Sequence, residues 1–346
     1  MKIFNDSLLT RRCFLQGLGM MSAGLALMPM AALGQNRQPI TRAIPSSGER
    51  IPVIGMGTSR TFDVGNDPAA RRQLQEVLQA FFDNGGALID SSPMYGNAEE
   101  VVGDLLKNIR NKQALFAATK VWTYGRQAGI DQMQRSMQRM GVALMDLMQI
   151  HNLRDWKVHL PTLRQWKAEG KIRYIGITTS HGRSHAELEQ VMRSEALDFV
   201  QFTYNIGNRT VEERLLPLAA DRGFATLINR PYQRGALFKK VKGQSLPEWS
   251  KEFDCRSWGN FFLKYILSHP AVTCIIPATS KVHHMQDNMA GGFGKLPSQK
   301  MRRRMLSYVT PILQSSSKNQ ASPDRRVRRS AACCESEKRF ATLEAP

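Results

Sequence analysis

The chain has 346 residues, of which 42% are hydrophobic and 22% charged, a composition typical of a protein with a packed core. The formal net charge is +19, and a basic body can attract nucleic acid or anionic membranes. Because no nucleic-acid-binding motif is present, we interpret the charge as a basic surface and expect no nucleic-acid partner. The five cysteines show no CxxC or Cys/His spacing, which argues against structural zinc and against a disulfide scaffold.

The first 34 residues have the order of an export signal. Residues 10–16 read TRRCFLQ and precede an uncharged, mostly apolar stretch with small residues near 32–34 that suit cleavage. The paired arginines resemble the twin-arginine (Tat) signal, although Gln16 stands where that signal commonly has lysine. An ordinary anchor helix is the alternative, but a stretch broken by several glycines and Pro29 makes a poor membrane span.

Three segments follow from this interpretation. We predict a signal peptide at 1–34, a single folded domain at 35–314 and a disordered tail at 315–346, which is rich in Ser, Arg and Glu. The twin-arginine translocase is the expected partner during export, and no stable membrane span is expected after cleavage. The mature protein is therefore expected in the periplasm or otherwise exported. A redox or basic recognition role for the tail is the alternative.

Short β-rich runs and longer helical patterns alternate from about residue 50 to 310. The predicted strands are 53–57, 87–90, 115–120, 144–151, 172–178, 199–204, 225–229 and 273–277. The predicted helices are 69–83, 98–107, 132–140, 159–169, 186–193, 211–222 and 258–268, and several end at glycines. This alternation predicts an α/β fold, a single-domain (β/α)8 TIM barrel. An open doubly wound sheet is the competing fold, but its usual GxGxxG is absent. Segment 231–256 is predicted to be a binding loop.

Polar side chains stand at the ends of three successive predicted strands, where a barrel of this kind builds its active site. Asp90 ends the second strand and Tyr95 follows in its loop, while Lys120 ends the third strand and His151 the fourth. Because adjacent strands lie about 5 Å apart, these side chains can converge. Singly, each has a structural interpretation such as capping a turn or packing a loop. The ordered set of four is far more specific.

The four side chains suit carbonyl reduction. A free tyrosine has a pKa of about 10 and is a weak acid near neutral pH, whereas a nearby ammonium lowers that pKa. We therefore predict that Lys120, held protonated by Asp90, makes Tyr95 an effective proton donor. A neutral His151 would donate to the carbonyl oxygen and orient it. In the reverse direction the phenolate of Tyr95 would be the base.

Between about residues 50 and 295, the sequence resembles the aldo-keto reductases. The matching segments are IGMGT, GGALIDSSPMYGNAEEVVG, the lysine after AAT, MQIHN, EGKIRYIGIT, VQFTYN and SHPAVTCIIPATS. The resemblance implies a barrel enzyme that moves hydride between a nicotinamide cofactor and a carbonyl or alcohol. It also implies that Asp90, Tyr95, Lys120 and His151 are the catalytic tetrad, with Tyr95 as proton donor and no metal.

The resemblance also implies a cofactor-binding set, which comprises Gly57, Thr58, Asn152, Thr178, Gln201, Thr279, Ser280, Lys281 and Asn288. Within it, Gln201 matches the residue that bonds the nicotinamide carboxamide, and 279–281 supplies partners for a 2′-phosphate. The chain departs from the family pattern at Thr178-Thr179, where Ser-Asn is usual, and at Asn229-Arg230, where no aromatic is present for stacking. Ala278 and His284 stand where a Lys and an Arg usually bind the 2′-phosphate. We expect NADPH in preference to NADH.

The leading hypothesis is an NADPH-dependent reductase of aldehydes or ketones in the periplasm. Because a periplasm has no obvious supply of reduced nicotinamide, we hypothesise a tightly held cofactor and a dismutase-like or transhydrogenating cycle. A nucleotide-sensing regulatory subunit with the same fold is the alternative, and a metal-dependent hydrolase is disfavoured because the required carboxylate and histidine clusters are not evident. Trp122, Tyr124 and Trp156 either line a substrate pocket or pack the barrel rim, and the sequence leaves both interpretations open.

Overall fold

The computed structural model describes residues 38–182 and 184–318, so the predicted signal and tail residues 319–346 lie outside the described residues. No helix in that part of the chain is long and apolar enough to cross a membrane. At its centre is an eight-stranded parallel sheet whose strands neighbour one another in chain order. They are β3 (Met56–Gly57), β4 (Leu88–Asp90), β5 (Phe116–Val121), β6 (Met145–Ile150), β7 (Ile172–Thr178), β8 (Phe199–Thr203), β9 (Ala225–Asn229) and β10 (Cys274–Ile275).

The sheet closes between its first and last strands. A parallel bridge pairs Ile54 with Ile275, and the backbone N–H of Gly55 donates to the carbonyl of Ile275 over 2.8 Å. A Cβ on Gly57 would lie 2.8 Å from the carbonyl oxygen of Ile276. The close approach of the first and last strands therefore leaves no room for a side chain at position 57. The closed ring of parallel strands confirms the predicted TIM barrel.

A hairpin that the sequence did not predict precedes the barrel. It consists of β1 (Thr41–Ala43) and β2 (Arg50–Pro52), paired antiparallel. Its buried side chains Ile44 and Ile51 belong to one hydrophobic cluster with residues that begin the barrel strands, among them Leu88, Phe116 and Phe199. The hairpin therefore covers the N-terminal end of the barrel and leaves the opposite end open for a site.

The helices lie between and after the strands. They are α1 (Pro68–Asp83), α2 (Ala98–Leu106), α3 (Arg126–Met140), α4 (Trp156–Ala168), α5 (His185–Ser194), α6 (Leu215–Asp221), α7 (Ala236–Lys240), α8 (Trp258–Leu267), α9 (Val282–Ala290) and α10 (Gln299–Lys318). The first shows why they form: the Asp67 carboxylate accepts the backbone N–H groups of Ala69 and Ala70 over 2.9 and 3.1 Å, and Pro68 begins the helix. Its buried residues recur with helical spacing and are Leu74, Val77, Leu78, Phe81 and Phe82.

The structure corrects several predicted boundaries. The helix predicted at 211–222 divides into a 3-10 turn (Thr210–Glu212) and α6. Segment 231–256 is not a pure loop, because it contains α7 and a 3-10 helix (Glu248–Phe253). Helices α9 and α10 were not predicted from the sequence, and α10 continues past the predicted end of the barrel at 314. Predicted stops at Gly141 and Gly223 do carry positive φ angles of 67° and 68°, which glycine adopts without strain.

Candidate active site

A buried ion pair forms the floor of the site at the C-terminal ends of the strands. The ammonium of Lys120 on β5 donates to Oδ2 of Asp90 on β4 over 2.6 Å and to the carbonyl of Ser91 over 2.6 Å. The other carboxylate oxygen of Asp90 accepts from Nε2 of Gln149 over 2.9 Å and from Nε2 of Gln201 over 3.1 Å. Because both charges are desolvated and hydrogen-bonded, the pair is held in one geometry.

Tyr95 and His151 adjoin this pair. The Lys120 ammonium lies 5.3 Å from the centre of the Tyr95 ring, and that ring meets the His151 ring edge-on at a centroid distance of 5.9 Å. His151 begins a 3-10 turn (His151–Leu153) directly after β6, one residue later than the last strand position. The structure thus brings all four predicted catalytic residues together.

Burial controls the electrostatics of these groups. Burial acts to lower the pKa of Lys120, but the negative charge of Asp90 and its hydrogen bond with the ammonium outweigh it, and the pKa is raised. Burial also lowers the pKa of His151 to about 3, with the charges of Lys120 and Arg154 acting in the same direction. His151 is therefore neutral at neutral pH, while Lys120 stays charged.

The pKa of Tyr95 differs from the expectation. Burial raises the pKa of Tyr95 above its ordinary value of 10, and Lys120 opposes this shift without reversing it. The prediction that the lysine leaves the phenol more acidic than a free tyrosine is therefore wrong for the protein alone. The lysine makes the phenol more acidic than burial by itself would leave it.

Sequence reasoning missed two polar residues of the site. Gln149, which binds Asp90, stands two positions before His151 on β6, so the alternation of a strand could have placed it on the same inward face. Ser92 is fully buried, and its Oγ lies 2.9 Å from Nδ1 of His151. No periodicity marks Ser92, because it lies in the loop after β4.

A cavity of about 1250 Å³ opens beside these residues. Tyr95 and His151 line it, as do most of the predicted cofactor-binding residues, namely Gly57, Thr58, Asn152, Thr178, Gln201, Thr279 and Asn288. The other two predicted residues, Ser280 and Lys281, are not among those that line the cavity. The chain turns away from the cavity only after Thr279: the carbonyl of Ser280 accepts from Nε2 of Gln73 over 2.5 Å, and Lys281 is exposed at the start of α9. Arg230 and Arg234 line the wall instead and place two cations there.

One wall of the cavity carries a buried hydroxyl without a partner. Oγ1 of Thr179 is buried and makes no hydrogen bond to any described residue. Asn229 is one of the two residues at which the family pattern would place a stacking aromatic side chain. Its side-chain amide donates to the Thr179 carbonyl over 3.0 Å. Because a buried hydroxyl without a partner is costly, this position is suited to a polar group of a ligand.

The aromatic rings of Trp122 and Tyr124 make cation–π contacts with Arg154. The guanidinium carbon of Arg154 lies 4.4 Å from the centre of the Trp122 ring and 4.8 Å from that of Tyr124. Tyr124 is 67% exposed, and Trp156 packs against the hydrophobic core. None of these three aromatic residues is among those that line the cavity, which favours packing at the rim for Tyr124 and Trp156. The Trp122 ring lies closer to the site, 6.4 Å from the ring of His151.

Comparisons with known proteins agree on one family. The model of the Aldo/keto reductase family matches residues 53–304. Methylglyoxal reductase YeaE of Escherichia coli is 26% identical over 276 residues, which cover 78% of this chain and 96% of that protein. The NADH-specific methylglyoxal reductase of Escherichia coli is 26% identical over 246 residues, covering 60% and 72%. A solved aldo/keto reductase from Klebsiella pneumoniae in complex with NADP and acetate shares the fold with a TM-score of 0.64, at 22% identity, covering 82% of this chain and 95% of that chain.

Proposed function

Because the chain belongs to the aldo/keto reductase family, we propose that it reduces aldehyde or ketone carbonyls with NAD(P)H, or oxidises the corresponding alcohols. The observation that carries the proposal is the convergence of Tyr95, His151 and the Asp90–Lys120 pair at one cavity. Two similar proteins are methylglyoxal reductases, which supports a small carbonyl compound as the substrate.

The cavity fits a nicotinamide nucleotide. Its volume of about 1250 Å³ exceeds the roughly 300–1,000 Å³ of a site for one drug-sized ligand, which leaves room for a nucleotide and a small substrate. The unpartnered hydroxyl of Thr179 would bond the carboxamide, and Arg230 and Arg234 would attract the phosphates. When bound, the nicotinamide supplies the hydride of the reaction.

Proton transfer falls to the chain's own residues. Tyr95 gives its proton to the substrate oxygen and becomes a phenolate, and the fixed charge of Lys120 lowers the cost of that phenolate in a buried place. His151, which is neutral because its pKa is about 3, donates an N–H to the same oxygen and orients it. Asp90 keeps Lys120 charged and in position.

Nucleotide binding tests the proposal. We expect NADPH to quench protein fluorescence with a Kd about tenfold lower than that of NADH, since one charge-assisted hydrogen bond from Arg230 or Arg234 of the cavity wall to the 2′-phosphate would contribute roughly 1.5–3 kcal/mol. A panel of small aldehydes, methylglyoxal included, should then oxidise the bound NADPH. Tighter binding of NADH would overturn the preference, which the NADH-specific relative makes a real alternative. Binding of neither nucleotide would overturn the oxidoreductase proposal itself.

We further propose export by the twin-arginine translocase, supported by Arg11 and Arg12 ahead of an apolar stretch. In the periplasm, the mature protein would hold its nucleotide tightly and regenerate it with a second substrate. Fractionation of cells should place the protein in the periplasm with bound nucleotide, and the Arg11→Lys, Arg12→Lys double variant in the cytoplasm. Nucleotide-free protein from the periplasm would contradict the closed cycle, and export of the double variant would contradict the signal.

A further inference from the structure

The two ring nitrogens of His151 have different surroundings. Nδ1 lies 2.9 Å from the hydroxyl oxygen of Ser92, which is fully buried just after β4. Since the ring has two nitrogens and Nδ1 is engaged, Nε2 is the nitrogen left to face the cavity that His151 lines. Whether Nε2 carries a proton decides whether it can donate to a carbonyl oxygen.

The hydrogen bonds of Ser92 set the direction of this contact. The backbone N–H of Met94 donates to Oγ of Ser92 over 3.2 Å and occupies one lone pair. Within the described part of the chain, Nδ1 of His151 is the acceptor within reach of the one proton of this hydroxyl. The reverse arrangement, with Nδ1 as donor, would leave the serine proton buried without a partner, which is costly. The hydroxyl therefore donates, Nδ1 is unprotonated, and a neutral ring carries its proton on Nε2.

We propose that Ser92 is a positioning residue that holds His151 in the tautomer with Nε2 protonated, ready to donate to the substrate oxygen. The role of the oxygen as acceptor rests on the proposed function, whereas the tautomer is a property of the protein alone. The opposite tautomer would turn a lone pair toward the carbonyl oxygen and repel it.

The same residue also anchors Tyr95. The backbone N–H of Tyr95 donates to the carbonyl of Ser92 over 3.0 Å. Ser92 thus fixes the start of the turn that bears the proton donor through its backbone, and the ring of His151 through its side chain. A Ser92→Ala substitution removes the second contact and keeps the first.

Nitrogen NMR of full-length protein labelled with [15N]histidine tests the tautomer directly. The chain has seven histidines, and a His151→Gln variant identifies the signals of His151. We expect wild-type His151 to show a protonated Nε2 and an unprotonated Nδ1, and Ser92→Ala to show a mixture of the two tautomers. Ser92→Thr, which restores a hydroxyl, should recover the wild-type pattern. Ser268→Ala is the matched control, because it removes a hydroxyl that donates to the carbonyl of Tyr265 over 2.6 Å at the end of α8, outside the residues that line the cavity.

A protonated Nδ1 in the wild type, or an unchanged tautomer in Ser92→Ala, would overturn the proposal. In turnover, Ser92→Ala should lower kcat about tenfold, which corresponds to the loss of one hydrogen bond, while Ser268→Ala stays near wild type. If wild-type protein reduces no aldehyde, the proposed function fails and the NMR pattern still decides the role of Ser92. If the wild type turns over but the tautomer is wrong, only the role of Ser92 fails.

Discussion

The Tyr95→Phe variant is expected to lose carbonyl reduction by about 10²–10⁴-fold in kcat, the usual contribution of a positioned general acid. The substitution removes the hydroxyl beside Lys120 and His151 and keeps the ring that packs against the core and meets His151 edge-on. Nucleotide affinity and the unfolding midpoint should therefore change little. Steady-state kinetics with a small aldehyde, together with a nucleotide titration, measures both quantities.

Tyr124→Phe is the matched control for this experiment. Tyr124 is 67% exposed and stacks on Arg154 outside the cavity wall, so its hydroxyl should not affect kcat. A Tyr95→Phe variant with wild-type kcat would contradict proton donation by this residue. If the wild-type protein binds nucleotide but reduces no carbonyl compound, the alternative of a nucleotide-sensing subunit becomes the better explanation.

The Lys120→Met variant is expected to lose both turnover and stability. Without the ammonium, the phenolate of Tyr95 has no opposing charge and the pKa of Tyr95, already raised by burial, rises further. The carboxylate of Asp90, whose side chain is 3% exposed, would also remain buried without its cation. Removal of one partner from a buried pair costs roughly 3–5 kcal/mol in the free energy of unfolding. Chemical denaturation and steady-state kinetics measure the two losses.

A double variant separates these two effects. In Asp90→Asn, Lys120→Met, no charge is left unpaired, and the amide oxygen at position 90 can still accept from Gln149 and Gln201. Most of the lost stability should return, whereas kcat should stay as low as in Lys120→Met. Recovery of kcat along with stability would show that Lys120 only supports the fold.

The fold could be predicted because the barrel repeats one local pattern. The buried runs at 172–178 and 225–229 are strands with the predicted ends, since apolar residues and flanking turns bound them on both sides. The helix α10 was missed because its polar residues and Pro311 obscure the periodicity. The 3-10 turn at Thr210–Glu212 was missed because sequence periodicity does not distinguish it from the start of α6.

The candidate site was predictable only where a strand end carries the residue. Asp90, Lys120 and His151 follow from position alone, since parallel strands end at one face of the barrel. The position of Lys281 outside the cavity wall could not be predicted, because the direction of the chain after Thr279 depends on tertiary packing. The raised pKa of Tyr95 was also beyond the sequence, because it depends on how burial compares with the charge of Lys120.

Tyr95 as the proton source is tested most directly by the pH dependence of kcat for carbonyl reduction by the wild-type protein. Burial raises the pKa of Tyr95 above 10, so its hydroxyl stays protonated, and the rate should be level from about pH 6 to about 9 and fall only at higher pH. Donation by a charged His151, whose pKa is about 3, would instead make the rate climb steadily as the pH drops toward about 4. A climbing rate of that kind would contradict proton donation by Tyr95.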